Sequence, residues 1–125
     1  MNKVIELAGR ILLGHIFLLA GINKISGYEG TAGYMEAMGV PGVLLPLVIV
    51  LEIVGGLALI IGFKTKWAAL ALAGFTVLAA VLFHADFSDQ TQMILFMKNW
   101  AITGGLLMVY VYGAGEISLD RKLGR

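Results

Sequence analysis

A single acidic residue, Glu52, lies near the middle of the apolar run Gly42–Phe63, and this placement constrains the chain more than any other feature. The run is long enough to cross a bilayer as a helix. A carboxylate at that depth is costly unless it meets a partner or water, and its side chain is too short to reach either interface. The sequence therefore predicts that Glu52 faces the interior of a helical bundle, in an ion pair or a functional site.

The composition predicts a membrane protein. Of the 125 residues, 59% are hydrophobic and 14% are charged, and the mean hydropathy is +0.91. A soluble domain of this size has too much surface to hide so much hydrocarbon from water. The net charge of +1 argues against a nucleic-acid-binding face, and the lack of cysteine excludes disulfides, thiolate nucleophiles and cysteine-ligated centres.

Four segments are long and apolar enough to cross a bilayer. We predict spans over residues 4–23, 42–63, 67–84 and 93–112, within a single domain that covers residues 1–125. No span alternates polar and apolar residues, so the predicted fold is all-α, a polytopic four-helix transmembrane bundle. The first span begins like a signal peptide, but charged residues interrupt it and no A-x-A cleavage site follows, so we expect it to be retained.

The connections between spans indicate how the helices are joined. The very short turn 62–66 makes the second and third spans an antiparallel hairpin. For the longer connection 26–41, the sequence leaves open an irregular loop and a short helix that Thr31 would cap. If a helix forms there, one face would lie at the interface and would carry Tyr34, Met35 and Met38.

The distribution of charge predicts the orientation. After four crossings, one side of the membrane receives six cations: Lys3, Lys64, Lys66, Arg121, Lys122 and Arg125. The other side receives Lys24 and four acidic residues: Glu29, Glu36, Asp86 and Asp89. The positive-inside rule then places both termini in the cytoplasm.

Further polar residues within the spans predict a site around Glu52. At about 1.5 Å per residue, Glu52 and His15 lie roughly 16 Å deep, and the long side chain of Arg10 is within reach of Glu52. We take Glu52 as the candidate proton donor or acceptor. The candidate ligand-binding residues are Arg10, His15, His84, Lys98 and Asn99.

These ligand-binding candidates also have structural interpretations. Arg10 and Lys98 could extend towards lipid headgroups, as long cationic side chains do. His84 could end a helix, and His15 could be hydrogen-bonded in the interior. Two histidines at different depths argue against haem ligation, and no third ligand type clusters with them, so we predict no metal site. An acid, bases and amides around an apolar cavity can move protons or bind a polar headgroup such as a quinone ring.

Five stretches make the chain similar to the DoxX family of small bacterial membrane proteins. The resemblance runs from Gly9 to about Arg121. The stretches are GRILLGHIFLLAGINKISG at 9–27, YMEAMGVPG at 34–42, LEIVGGLALIIGFKTKWAAL at 51–70, FMKNWAITGGLL at 96–107 and GAGEISLDR at 113–121.

The resemblance implies four membrane helices, a location in the inner membrane of a bacterium and a role in quinone chemistry. The family name derives from a subunit of an archaeal thiosulfate:quinone oxidoreductase, and other members are linked to quinol oxidation, oxidative-stress complexes or defence against toxic quinones. A redox role would need a bound cofactor or a partner subunit, because the chain has no cysteine. The polar positions that match the family are Arg10, Asn23, Lys24, Glu52, Lys98 and Asn99.

Three functions are consistent with these observations. The first is a quinone-linked oxidoreductase subunit or quinone-handling protein, with a quinone as the candidate cofactor; whether the chain is itself an enzyme is left open. The second is a non-catalytic assembly or accessory subunit, favoured by many glycine and alanine contact faces. The third is a small proton-coupled transporter, although no inverted repeat is evident. We expect contact with the lipid bilayer and with a second copy or another membrane or redox subunit, and none with nucleic acid.

Overall fold

Four long helices make up most of the protein in a computed structural model that describes residues 2–84 and 86–124. The helices are α1 (Asn2–Ser26), α2 (Tyr28–Ala37), α3 (Leu45–Ile61), α4 (Thr65–Phe83), α5 (Gln90–Tyr112) and α6 (Leu119–Lys122), and a 3-10 turn, Gly42–Leu44, leads into α3. The long helices α1, α3, α4 and α5 are each apolar enough to cross a membrane, and the described residues contain no β-strand. The predicted all-α fold with four membrane helices is confirmed.

Two helices, α4 and α5, begin before their predicted spans because carboxylates cap their first turns. The helix α5 begins at Gln90, not at residue 93, since the carboxylate of Asp89 accepts a hydrogen bond of 2.9 Å from the Thr91 N–H. The helix α4 begins at Thr65, where a carboxylate from the C-terminal segment provides the cap. Sequence periodicity marks the apolar part of a helix, whereas such caps extend it through polar residues.

The connection after α1 contains a helix, α2, but Thr31 does not cap it. The helix begins three residues earlier, and the Thr31 N–H already donates a helical hydrogen bond of 2.9 Å to the Gly27 carbonyl. The three residues predicted to share an interfacial face are not all exposed. Tyr34 and Met38 are exposed, whereas Met35 is buried in a small apolar cluster with Leu45 and Ile49. Met35 thereby fixes α2 against the start of α3.

The closest helix packing joins α1 to α3. A Cβ atom added to Gly56 would lie 2.7 Å from the Gly14 carbonyl oxygen, and one added to Gly14 would lie equally close to the Gly56 carbonyl. Gly21, two turns further along α1, packs in the same way against Ile53 and the Cβ of Glu52. Membrane helices associate through such contacts because small residues let the two backbones approach and increase van der Waals contact.

A second structural feature, the tail clasp, closes the end of the bundle that carries both termini. We define it as Arg10, Asp120 and the turn between α3 and α4. The Arg10 guanidinium donates to the Leu59 carbonyl at 3.2 Å and also to the Ile117 carbonyl, so it links the C-terminus of α3 to the tail. The Asp120 carboxylate accepts hydrogen bonds from the backbone N–H groups of Lys64 at 2.6 Å and Thr65 at 2.9 Å.

The tail clasp satisfies backbone groups that a buried helix end would otherwise leave unpaired. Both side chains are almost fully buried, with 2% of Arg10 and 8% of Asp120 exposed. The turn between α3 and α4 needs glycine at position 62, where φ is +76° and a Cβ atom would collide with Arg10 and Ser118. The C-terminal segment is therefore packed into the bundle end. Arg125 lies outside the described residues.

Replacing Asp120 with asparagine should release the tail and weaken the bundle. An amide can accept only one of the two backbone hydrogen bonds at the start of α4, so we expect a loss of about 1–2 kcal/mol in the free energy of unfolding. Thermal unfolding in detergent micelles, with limited proteolysis of the C-terminal segment, measures both effects. The control is Glu116→Gln, which removes a nearby charge outside the clasp. Equal stability and proteolysis of the two variants would contradict the clasp.

Candidate functional site

The candidate site is a cavity of about 320 Å³ near the end of the bundle opposite the tail clasp. All four long helices and α2 contribute to its wall. The wall is mostly apolar and includes Ile16, Phe17, Val48, Phe75, Ala79, Phe83 and Ile102. Its size falls at the lower end of the range for small-molecule pockets, and such pockets typically combine apolar walls with a few placed polar groups.

An ion pair between Glu52 and Lys24 forms one polar side of the cavity. The Lys24 ammonium lies 2.7 Å from Oε1 of Glu52, at hydrogen-bonding distance. The carboxylate side chain is only 4% exposed, whereas 28% of the lysine side chain is exposed. The close packing of α1 on α3 removes water from the carboxylate, which costs free energy. The charge of Lys24 compensates that cost. The prediction that Glu52 faces the bundle interior agrees with this arrangement.

A second group of polar residues lies on α4, directly after its last residue, and on α5. The Asn99 amide nitrogen is 3.4 Å from the Thr76 carbonyl, and Nδ1 of His84 is 2.8 Å from Oε1 of Gln92. Lys98 also lines the cavity, and it forms no ion pair among the described residues. The α2 helix adds Tyr34, whose ring stacks on Phe83 at a centroid distance of 5.6 Å. Hydrogen-bond donors therefore lie on both sides of an apolar space.

The structure brings together four of the six predicted site residues and separates the other two. Glu52, His84, Lys98 and Asn99 all line the cavity. The expectation that Arg10 approaches Glu52 is wrong, because its guanidinium is bonded to backbone carbonyls in the tail clasp. His15 is not an interior residue either. It is exposed on the far side of α1, and its Nδ1 lies 2.6 Å from the carbonyl of Leu12 in its own helix.

The ion-pair partner of Glu52 was not among the predicted site residues. The charge distribution counts Lys24 only among the charges on one side of the membrane, although Lys24 also matches the family pattern. The spacing of the buried residues in α1 does predict that Lys24 faces the neighbouring helix. Arg10, Gly14, Phe17 and Gly21 form the buried face of α1, and Lys24 continues that face by the same alternation of three and four residues. A lysine on the packed face of a membrane helix predicts an acidic partner on the neighbouring helix.

Other parts of the described structure offer less chemistry. A recess of about 730 Å³ beside the tail clasp is lined by opposite charges in similar number, including Lys64, Lys66, Arg121, Glu6 and Glu116. None of the predicted site residues lines it. Within residues 2–84 and 86–124, no three His, Asp or Glu side chains are grouped so as to hold a metal ion.

Removing Lys24 alone should destabilise the protein more than removing the whole ion pair. In Lys24→Met the Glu52 carboxylate stays buried without its partner, and we expect a loss of about 2 kcal/mol, less than the 3–5 kcal/mol of fully buried pairs because Lys24 is partly exposed. The double variant Lys24→Met/Glu52→Leu should recover most of that loss. Unfolding by sodium dodecyl sulfate in mixed micelles provides the measurement.

The matched control for this experiment is Lys98→Met, which removes a cavity lysine without an ion-pair partner in the described chain. We expect its stability to change by less than about 0.5 kcal/mol. Equal losses for Lys24→Met and Lys98→Met, or no recovery in the double variant, would show that the pair contributes nothing specific.

Comparison with known proteins places this architecture in a family. The DoxX family profile matches residues 5–85. Two proteins of Escherichia coli K12 are similar to this chain. Inner membrane protein YqjF is 52% identical over 100% of this chain and 96% of its own length. Inner membrane protein YphA is 35% identical over 97% of this chain and 91% of its own length. The protein named "Putative oxidoreductase CatD" of Bacillus subtilis 168 is 28% identical over 83% of this chain and 84% of its own. No solved structure matches the chain. The chain belongs to the DoxX family of membrane proteins.

Proposed function

We propose that the cavity binds the headgroup of a membrane-soluble quinone and that the protein acts as a quinone-linked oxidoreductase subunit or quinone-handling protein. The observation that carries the proposal is the ion pair of Glu52 and Lys24 on the wall of an otherwise apolar cavity. A buried pair of this kind is costly to maintain, and ionisable residues inside membrane bundles commonly serve proton transfer or ligand binding.

The cavity suits a ring that has apolar faces and two carbonyl oxygens on opposite edges. Phe17, Phe75 and Ile102 are among the apolar wall residues that would contact the ring faces. The carbonyl oxygens accept hydrogen bonds, and donors are available on both sides of the space: the Lys24 ammonium on one side and the amide of Asn99 on the other. Matching each buried acceptor with a donor is the main source of specificity in such a pocket.

Glu52 would provide the proton chemistry of this proposal. Reduction of a quinone to a quinol takes up two electrons and two protons, one on each carbonyl oxygen. Glu52 would first take up a proton from water that reaches it past the partly exposed Lys24, and would then give that proton to one carbonyl oxygen and return to the carboxylate that the Lys24 ammonium stabilises. Water would supply the second proton to the other carbonyl oxygen. The electrons come from a reduced partner subunit, since the chain contains no cysteine to hold a cysteine-ligated redox centre. The name of the Bacillus subtilis relative supports the oxidoreductase part of the proposal.

A non-catalytic accessory role is a second candidate, and open helix surfaces favour it. Gly74 on α4 and Gly104 on α5 have no atom within 4 Å of where a Cβ would lie, so both leave their backbone accessible to a partner helix. In this role the cavity would hold a structural lipid or quinone without turning it over. Purification of a stoichiometric partner together with an inert isolated chain would favour it.

The quinone proposal predicts that Glu52→Gln weakens quinone binding. Glutamine keeps the size of the side chain but loses the charge that pairs with Lys24 and the proton that it can give. We expect the affinity for ubiquinone-1 or menadione to fall about tenfold or more, measured by calorimetric titration of the protein in lipid nanodiscs.

The control is Glu29→Gln, which removes an exposed carboxylate from α2 at the same end of the bundle. Its affinity should equal that of the unaltered protein. The proposal fails if neither quinone binds the unaltered protein, or if Glu52→Gln and Glu29→Gln bind both quinones equally well.

We also infer that both termini lie in the cytoplasm of a bacterium, with the chain in the inner membrane. The tail clasp supports a common side for the C-terminal segment and the α3–α4 turn, because Asp120 bonds the backbone of Lys64 and Thr65. Their cations then add to Lys3, as the positive-inside rule requires. A C-terminal alkaline phosphatase fusion should be inactive and a C-terminal green fluorescent protein fusion bright. The reverse pattern would contradict this orientation.

A further inference from the structure

The charges in the wall of the candidate cavity do not balance. Among the described residues that line it, the only carboxylate is that of Glu52, and it already pairs with Lys24 at 2.7 Å. Lys98 lines the same cavity, and its ammonium has no ion pair or hydrogen bond in the part of the chain that the structure describes. The other basic residue of the wall, His84, can only add positive charge. The wall therefore holds a positive charge that no described group compensates.

The position of Lys98 makes an unpaired charge costly. It follows five apolar residues, 93–97, and lies eight residues after the start of α5, which is about 12 Å along the helix. Ionisable residues inside membrane spans normally pair with an opposite charge or meet a polar cavity, because contact with acyl chains is costly. The side chain of Lys98 is exposed and borders the cavity, so a molecule bound there can contact it. A ligand that brings a negative charge to this wall would compensate the lysine.

We propose that the cavity selects a quinone whose ring carries an ionised hydroxyl group, and that Lys98 determines this specificity. The inference rests on the proposed function, because it names the class of quinone that the same cavity binds. The ionised oxygen would accept a charge-assisted hydrogen bond from the Lys98 ammonium, and such bonds are roughly twice as strong as those between neutral groups. A quinone without this oxygen leaves the lysine uncompensated.

The donors around the cavity suit the oxygen atoms of such a ring. Asn99 directly follows Lys98 on α5, and both residues line the cavity. In a 2-hydroxyquinone the ionised oxygen is next to one carbonyl oxygen, so Lys98 would hold the first and the Asn99 amide the second. The negative charge is delocalised onto the carbonyl oxygen at the opposite edge of the ring, where the proposed function already places the Lys24 ammonium. Both lysines of the wall would therefore meet oxygens that share the charge.

The wall also favours a ring over other anions of the membrane. Phe17, Phe75 and Phe83 contribute aromatic side chains to it, and flat rings pack well against aromatic groups. The phosphate of a lipid is more strongly hydrated than an ionised hydroxyl group and needs more donors than the few that line this cavity. A fatty acid carries the charge, but it has no second oxygen at an opposite edge for Lys24 to meet.

Two naphthoquinones that differ in one substituent test this specificity. At neutral pH, 2-hydroxy-1,4-naphthoquinone is an anion, whereas 2-methyl-1,4-naphthoquinone, which is menadione, is neutral. In calorimetric titrations of the protein in phosphatidylcholine nanodiscs, we expect the unaltered chain to bind the hydroxy compound about tenfold more tightly than menadione. Lys98→Met should abolish this preference by weakening the binding of the hydroxy compound alone. Lys98→Arg, which keeps the charge, should retain most of the preference.

The matched control is Lys66→Met, which removes an exposed lysine at the other end of the bundle and should keep the full preference. The inference is overturned if the unaltered protein binds both naphthoquinones equally, if Lys98→Met keeps the preference, or if sodium decanoate binds as tightly as the hydroxy compound. In each of these outcomes the binding of menadione leaves the proposed function intact. Failure of both naphthoquinones to bind would instead overturn the proposed function, and this inference with it.

Discussion

The ion pair of Lys24 and Glu52 holds α1 against α3 at the cavity end of the bundle. A carboxylate on α3 is costly to bury without a partner, and here the partner cation comes from α1. Its approach depends on glycines, because Gly21 of α1 packs directly against the Cβ of Glu52. The interaction thus couples electrostatics to helix packing. A larger residue at position 21 would separate the helices and admit lipid or water to the charge.

The two cations on the buried face of α1 have different tasks at its two ends. Arg10 bonds backbone carbonyls of the α3 end and of the tail, so its charge is used for structure. Lys24 meets a side-chain carboxylate beside a cavity, so its charge is available to a ligand. The chemistry of the side chains fits this division. A guanidinium has several donors in a fixed plane and suits a cluster of carbonyl oxygens, whereas an ammonium is a compact charge that pairs with one carboxylate.

Much of the fold could be predicted because membrane helices need long apolar segments and a short turn forces a hairpin. Depth also identified Glu52, because its place in the middle of an apolar span follows from the sequence and a carboxylate there is costly without a partner. The direction of a long side chain could not be predicted in this way. Arg10 could reach Glu52 by depth, but the open backbone carbonyls at the end of α3 attract it instead. His15 illustrates the same limit, because depth gives no information about which face of the helix points inward.

The short helix α2 could not be placed from its pattern, since its ten residues are only weakly amphipathic and one buried side chain, Met35, anchors it. The partner of Glu52 was missed for a different reason. Lys24 is near a helix end, where lysine normally reaches the headgroups. Only the spacing from Arg10 through Gly14 and Gly21 places it on the packed face.

The tail clasp has a consequence for biosynthesis. Asp120 follows every long helix in the chain, yet it caps the start of α4, which the ribosome produces some 55 residues earlier. Until the tail emerges, the α3–α4 turn has unpaired backbone N–H groups and Arg10 lacks the Ile117 carbonyl. The tail clasp can therefore form only after all four long helices have been made, so this end of the bundle is the last to be fixed.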